Sequence, residues 1–281
     1  MKAFIIPFFF ISCSSFSQSV ADSLPSRNGN LIIITIDGFR WQELFSGADE
    51  QLISNPNATP DTATMKAMYW SNDQNERRKK LMPFVWNVIA SKGQLYGNRH
   101  YDNKMNVSNL YAVSYPGYHE LFTGKAALNV RSNKRKTSQY PNILEELNSR
   151  EAYHGKVAAF SSWDVLPYIL NEERSGIPVN SGYEKMTDAG NSHETVMSES
   201  LSEQHFFQKQ HTRLDQLTFV AAKEYMRTQK PKVVYIGWGE ADEFAHAGRY
   251  DLYLEQANKV DRMMAELWHF IQTTEGYKDN T

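Results

Sequence analysis

The chain has 281 residues, enough for one α/β domain or two small ones and ample to bury a core. Aromatic side chains are plentiful, with 15 Phe, 15 Tyr and 6 Trp, and 30 Lys and Arg against 32 Asp and Glu leave a formal charge of -2. That balance gives no reason to expect nucleic acid or an anionic membrane as partner, yet it leaves an anionic substrate open, because a bound metal brings its own positive charge.

Residues 1–21 read as an export signal. Lys2 is the charged start, an apolar run carrying Phe8, Phe9 and Phe10 follows, and Ser19-Val20-Ala21 offers small residues for cleavage. The run is too short to span a bilayer, and no later stretch is apolar enough to do so. The expected mature chain is therefore 22–281, exported to a periplasm or secreted. The single cysteine, Cys13, falls inside the signal. That leaves no disulfide and no thiol catalyst, unless Cys13 becomes a lipidated N-terminus, for which Phe10-Ile11-Ser12 is a poor signal.

The first strong strand is Leu31-Ile32-Ile33-Ile34-Thr35-Ile36, β-branched and apolar as for a strand covered on both faces, and it runs into Asp37-Gly38. Residues 49–80 are polar, with Asn55-Pro56-Asn57 and the charge run Glu76-Arg77-Arg78-Lys79-Lys80. They read as a surface excursion whose charges form a solvated face. Helical spacing returns at 83–92 and at 141–148, the second opening on Pro141. A second strand at 156–160 ends in Ser161-Ser162-Trp163-Asp164. Residues 171–202, rich in Ser, Gly, Asn and Glu, read as another surface excursion. A helix at 214–227, a third strand at 232–238 and a long helix at 252–271 complete the pattern. Strands alternating with helices predict an α/β fold, with a mostly parallel central sheet and helices on both faces. In such a sheet ligands sit at the carboxyl ends of strands, where Asp37 and Asp242 fall.

Three segments carry possible chemistry. Asp37 offers oxygen to a divalent cation, or, the commoner job for Asp there, an N-cap to the next helix. Ser114, in Val113-Ser114-Tyr115-Pro116-Gly117, would stand at a helix start, where the dipole and free N–H groups favour an anion; a plain N-cap is the competing role. Asp242 and His246 are four apart, so one helical face presents both, and a carboxylate with an imidazole suits Zn or Mn better than Mg or Ca. Glu240 and Glu243 flank that pair and offer support to it. His119, Trp163, Tyr115 and Phe39 read as packed side chains. No Gly-x-Ser-x-Gly elbow, His-Glu-x-x-His or phosphate-binding Walker loop occurs.

Taken together, these segments resemble a known family. Ile34-Thr35-Ile36-Asp37-Gly38-Phe39-Arg40 resembles the opening motif of nucleotide pyrophosphatase/phosphodiesterase-like members of the alkaline phosphatase superfamily. Ser114-Tyr115-Pro116 followed by Thr123-Gly124 resembles their nucleophile segment. Asp242 with His246 resembles their Asp-x-x-x-His metal pair, and Tyr253, Ala257 and Asp261 continue the usual helix after it. The likeness spans residues 31–271 in order and rough spacing.

The resemblance implies an alkaline phosphatase-like fold and two divalent ions about 4 Å apart, Zn or alternatively Mn. Asp242 and His246 would hold one ion and Asp37 the other, with Ser114 between them as ligand and nucleophile. Asn133 would hydrogen-bond a phosphate oxygen. The implied reaction is hydrolysis of a small phosphate ester, mono- or diester, through a phosphoserine. Tyr118 stands where a formylglycine sulfatase needs Arg, which argues against that activity. The family's Asp-His-Gly segment and a further His, expected after the long helix, are not found before Thr281, and His269 lies within that helix. The expectation is a fragment, or a shortened member that binds metal or ester with little turnover, with a sheet incomplete at its C-terminal end and an exposed edge. A phosphotransferase or mutase of the same superfamily is the other alternative, against which the export signal argues. An unrelated secreted binding domain is the reading outside the family.

Overall fold

The computed structural model describes residues 29–185 and 211–281. The expected export signal, with Cys13, and the later part of 171–202 lie outside the described residues. Four strands form one all-parallel sheet in the order β1 (Leu31–Ile36), β4 (Val233–Trp238), β2 (Val157–Ser161), β3 (Val179–Ser181). The class is α/β, and because every pair is parallel, all four carboxyl ends open on one side.

The pleat sorts the core into two layers. Ala158, Phe160, Val234, Ile236 and Trp238 face helices Asp215–Gln229 and Tyr250–Thr273. Val157, Ala159, Val233 and Tyr235 face the other way, onto helices Ser114–Thr123, Ile143–Ser149 and Leu166–Leu170. Helices thus cover both faces, and β2 and β4 are buried throughout. No helix among the described residues is long and apolar enough to cross a membrane.

The structure corrects several expectations. β1 is not covered like β2 and β4. It pairs with β4 alone among the described residues, its side chains are mostly half-buried, and Leu31 is exposed. Its apolar sequence therefore does not identify a central strand. The stretch 171–202 is not all excursion, since Val179–Ser181 adds the fourth strand beside β2. Nor is 49–80 an irregular surface loop. It folds into helices Glu50–Ser54, Thr62–Tyr69 and Gln74–Leu81. Each begins at an aspartate, Asp49, Asp61 and Asp73, whose carboxylate accepts from the first-turn N–H groups at 2.9–3.0 Å. Ile53, Met65, Tyr69 and Leu81 from these helices pack a third apolar cluster against Tyr253, Leu254 and Ala257. The charge run is only partly solvated. Arg78 stacks over Trp86 at 3.6 Å and Arg77 over Trp70 at 4.4 Å, so the guanidinium planes lie on aromatic faces.

The helix expected over 83–92 is a π-helical turn, Val85–Ile89, continuing into Ala90–Lys92. Its first N–H groups, Phe84 N and Val85 N, donate to the buried Asp261 carboxylate at 2.7 and 2.9 Å. The helix expected from Pro141 starts at Ile143 instead, because Asn142 caps it by accepting from Glu145 N.

These packing differences set an order of stability costs. Ile236→Ala, in the fully buried central strand, is expected to cost about 2–5 kcal/mol. Asp73→Ala, which removes one cap, should cost about 1 kcal/mol. Urea unfolding of both variants checks the order, and equal losses would contradict it.

Candidate active site

Asp37 stands one residue past β1. Its backbone N–H donates to Trp238 O at 2.9 Å, which carries the β1–β4 ladder one step further. The chain then turns at Gly38, whose φ is +69°. A side chain there would be strained, and its Cβ would lie 2.6 Å from Asp242 Cα and 2.8 Å from Asp242 Oδ1. Gly38 is thus the gap through which the end of β1 meets the Glu240–His246 helix. The next segment is anchored from the long helix. Arg40 N donates to Tyr253 Oη at 2.9 Å, Tyr253 Oη donates to Gly38 O, and the fully buried Glu43 receives Arg40 and the Tyr250 hydroxyl. The cap of helix Trp41–Ser46 is Arg40, so Asp37 is not its N-cap.

Ser114 is the first residue of its helix rather than the N-cap, a position Val113 takes. Its hydroxyl donates to Asp37 Oδ1 at 3.3 Å. The helix end offers an anion less than the sequence suggests. Tyr115 N already donates to Asn133 Oδ1 at 2.9 Å, and Pro116 has no N–H to give. Asn133 therefore caps the Ser114 helix from a neighbouring loop. Its carbonyl is committed there, and its exposed amide nitrogen has no partner among the described residues.

Asp242 and His246 share one face, with Oδ2 and Nε2 3.4 Å apart. Burial pushes the Asp37 carboxyl up to about 6, with the nearby Asp242 charge adding to the rise and hydrogen bonds from Ser114, Gly38 and Tyr118 opposing it. Burial also raises Asp242, against the pull of His246. Neither carboxylate has a Lys or Arg partner among the described residues. Two acids facing each other without a cation are an oxygen-rich pair with charge to neutralise, and an imidazole beside one of them completes a donor set suited to Zn or Mn. The residues present therefore fit a divalent ion. They form two pairs, Asp37 with Ser114 and Asp242 with His246, and among the described residues no three His, Cys, Asp or Glu side chains gather closely enough to hold an ion by themselves.

The Glu240–His246 helix has no cap of its own, since Gly239 precedes it. Asp215, fully buried, supplies the missing acceptor. Its Oδ1 accepts from Gly239 N at 2.7 Å and Ser162 Oγ at 2.6 Å, and its Oδ2 from Gln256 Nε2 at 2.7 Å. Glu240 turns inward to the same network, accepting from Asp215 N at 2.6 Å, so it does not support His246. Burial raises Asp215, and burial with the nearby Asp215 charge raises Glu240 to about 7. Glu243 accepts from Thr212 Oγ1 at 2.7 Å.

Sequence reading missed Asp215, Gln256 and Tyr250, and named Tyr253 only as part of the helix after His246. Tyr250 and Tyr253 sit four and seven residues beyond His246, one helical turn apart, and that spacing was the available signal. The residues read as packed are so placed: His119 and Tyr115 are buried, and Phe39 stacks on Tyr253 at 5.9 Å. Trp163 is partly buried against Tyr118 at 6.2 Å.

Two substitutions test this geometry. A carboxyl raised from 3.8 to about 6 binds its proton more tightly in the folded chain, so without metal it lowers stability as pH rises from about 4 to about 6, and the full penalty stands above that. Asp37→Asn should therefore be more stable than the metal-free parent at pH 8, by about 1–3 kcal/mol, and equal to it near pH 3.5. Denaturant titrations at the two pH values decide this. Gly38→Ala should lower the melting temperature and weaken zinc binding together, because the helix bearing Asp242 must move away; calorimetry with and without zinc measures both. No protein-family model, curated protein or solved structure matches this chain.

Proposed function

We propose that this protein is a metal-dependent phosphoric-ester hydrolase of the alkaline phosphatase superfamily, with Ser114 as nucleophile. The observation that carries the reading is the Ser114 hydroxyl, fixed at the first position of a helix and donating to Asp37 beside the Asp242–His246 pair. The parallel sheet with helices on both faces, and the site at its carboxyl edge, support the same reading. So do the three sequence segments that resemble the family.

In this reading Asp37, Ser114, Asp242 and His246 hold divalent ions, zinc or manganese. Such ions, when bound, supply positive charge to phosphoryl oxygens and to a deprotonated serine. Asp37 Oδ1 orients the Ser114 hydroxyl. Ser114 gives up its proton to solvent, Oγ bonds to phosphorus as the bond to the ester oxygen breaks, and the alcohol leaves with a proton from solvent. Water then attacks the phosphoserine, releasing the phosphate product and restoring the hydroxyl. The Asn133 amide, already placed beside the Ser114 helix by its bond to Tyr115 N, would donate to a phosphate oxygen. Export rests on residues 2–21 of the sequence.

With zinc or manganese added, the chain should hydrolyse a nitrophenyl phosphomonoester or the corresponding bis-ester, and the preferred substrate separates phosphatase from diesterase. Ser114→Ala should lower kcat by about a thousandfold or more. Undiminished turnover in that variant would falsify the nucleophile. Metal binding by the parent without any turnover would leave the reading of a member that binds but does not hydrolyse.

A further inference from the structure

The overall charge of -2 conceals a strong segregation. Residues 94–137 carry seven basic side chains against two acidic ones, so this segment is positive by five and the remainder of the chain is correspondingly acidic. The same segment holds eight of the eleven large hydrophobic side chains exposed among the described residues. Leu110 is 89 % exposed, Tyr101 83 % and Leu128 80 %, and Met105, Val107 and Leu121 are exposed with them. Isolated exposed leucines need no explanation, but their concentration in one short basic stretch does.

The segment is held together around the Ser114 helix. Ser108 N and Asn109 N donate to the Glu120 carboxylate on that helix, the Tyr111 hydroxyl donates to Leu128 O at 2.9 Å, and the Tyr115 hydroxyl donates to Lys136 O at 2.6 Å. At its start, His100 packs on Trp41, four residues past Asp37. The exposed apolar groups therefore lie on a segment packed against the Ser114 helix. Glu120 spends its charge on those backbone N–H groups, and Asp102 pairs with Lys104. Arg135 is taken by Asp164. Lys125, Arg131, Lys134 and Lys136 have no ion pair among the described residues.

We propose that residues 94–137 form a docking surface for an anionic lipid surface, with Leu110 and Leu128 entering the apolar boundary and Lys125 and Arg131 meeting the headgroups. Aliphatic side chains beside unpaired cations are the pattern of an interfacial anchor. Tyr96 and Tyr101 are exposed as well, but the side chain lying between Lys125 and Arg131 in the chain is the aliphatic Leu128, which offers a base nothing to stack on. This inference does not depend on phosphoryl chemistry, and binding is read without turnover.

The experiment is co-sedimentation of the full chain with vesicles of phosphatidylglycerol and phosphatidylcholine in equal parts, compared with phosphatidylcholine alone. The parent should sediment with the mixed vesicles only, and less so as salt rises. Leu110→Gln with Leu128→Gln should weaken binding about tenfold at an unchanged melting temperature. Lys125→Ala and Arg131→Ala should weaken it about fivefold each. Absence of binding by the parent overturns the proposal. So does a leucine double variant that binds as well as the parent. An oligonucleotide bound as tightly as the vesicles, and insensitive to the leucine changes, would assign the surface to nucleic acid. A parent that dimerises, with the leucine variant monomeric, would assign it to self-association.

Discussion

The parallel ladder between β1 and β4 is the constraint on which the site depends. Its register sets Ile36 opposite Trp238, so Asp37 and the Gly239 turn emerge side by side. Strands in a sheet lie about 4.8 Å apart, so the turn at Gly38 and the start of the helix bearing Asp242 lie side by side. Burial, and next the Asp242 charge, raise the Asp37 carboxyl, and Gly38 makes the approach sterically possible. A slip of one residue would turn the apolar side chains of β1 to the wrong layers and move Asp37 out of reach of Ser114. Sheet packing and site geometry are one requirement here.

Holding the ends of strands is a separate problem, solved by buried polar groups. A seven-residue helix has little stability of its own. The one bearing Asp242 and His246 is fixed by Asp215, which reaches in from the start of a different helix and is itself held by Ser162 and Gln256. Arg213, fully buried, ties Thr218 and Asn180 into the same layer, at 2.8 and 2.7 Å. Such a network draws together the ends of β2, β3 and β4. Removing one member leaves others buried without partners, at about 1–3 kcal/mol per unsatisfied group. The Ser114 helix is fixed on the same principle, with Asn133 acting as its borrowed cap.

Three strands, the long C-terminal helix and the parallel α/β class were legible because local pattern and burial agree there. Val233–Trp238 is apolar and also central. Where they disagree, the reading failed. Leu31–Ile36 has the composition of a central strand but lies at an edge among the described residues, because composition does not record the neighbours of a strand. Val179–Ser181 is too short to show a period. The segment 49–80 looked irregular because its helices are short and polar on their outer faces, although Asp49, Asp61 and Asp73 recur every twelve residues as cap signals. Within the site, Asp37, Ser114, Asp242 and His246 were legible as motifs, and the structure brings them to one edge of the sheet. Asp215 was not, since an aspartate that caps another helix across 24 residues leaves no local spacing to find.

Charge illustrates the same limit of averages. A total of -2 gave no reason to expect nucleic acid or an anionic membrane, yet the total contains a positive segment around Ser114 and a larger negative remainder. Electrostatic attraction acts over about 10 Å at moderate salt, far less than the width of a domain of this size. A ligand approaching the Ser114 helix therefore meets the local basic field and not the net charge. The Asp37 and Asp242 carboxylates repel an anion, while the basic segment packed around the Ser114 helix attracts one. Divalent ions held by Asp37 and by Asp242 with His246 would offset that repulsion.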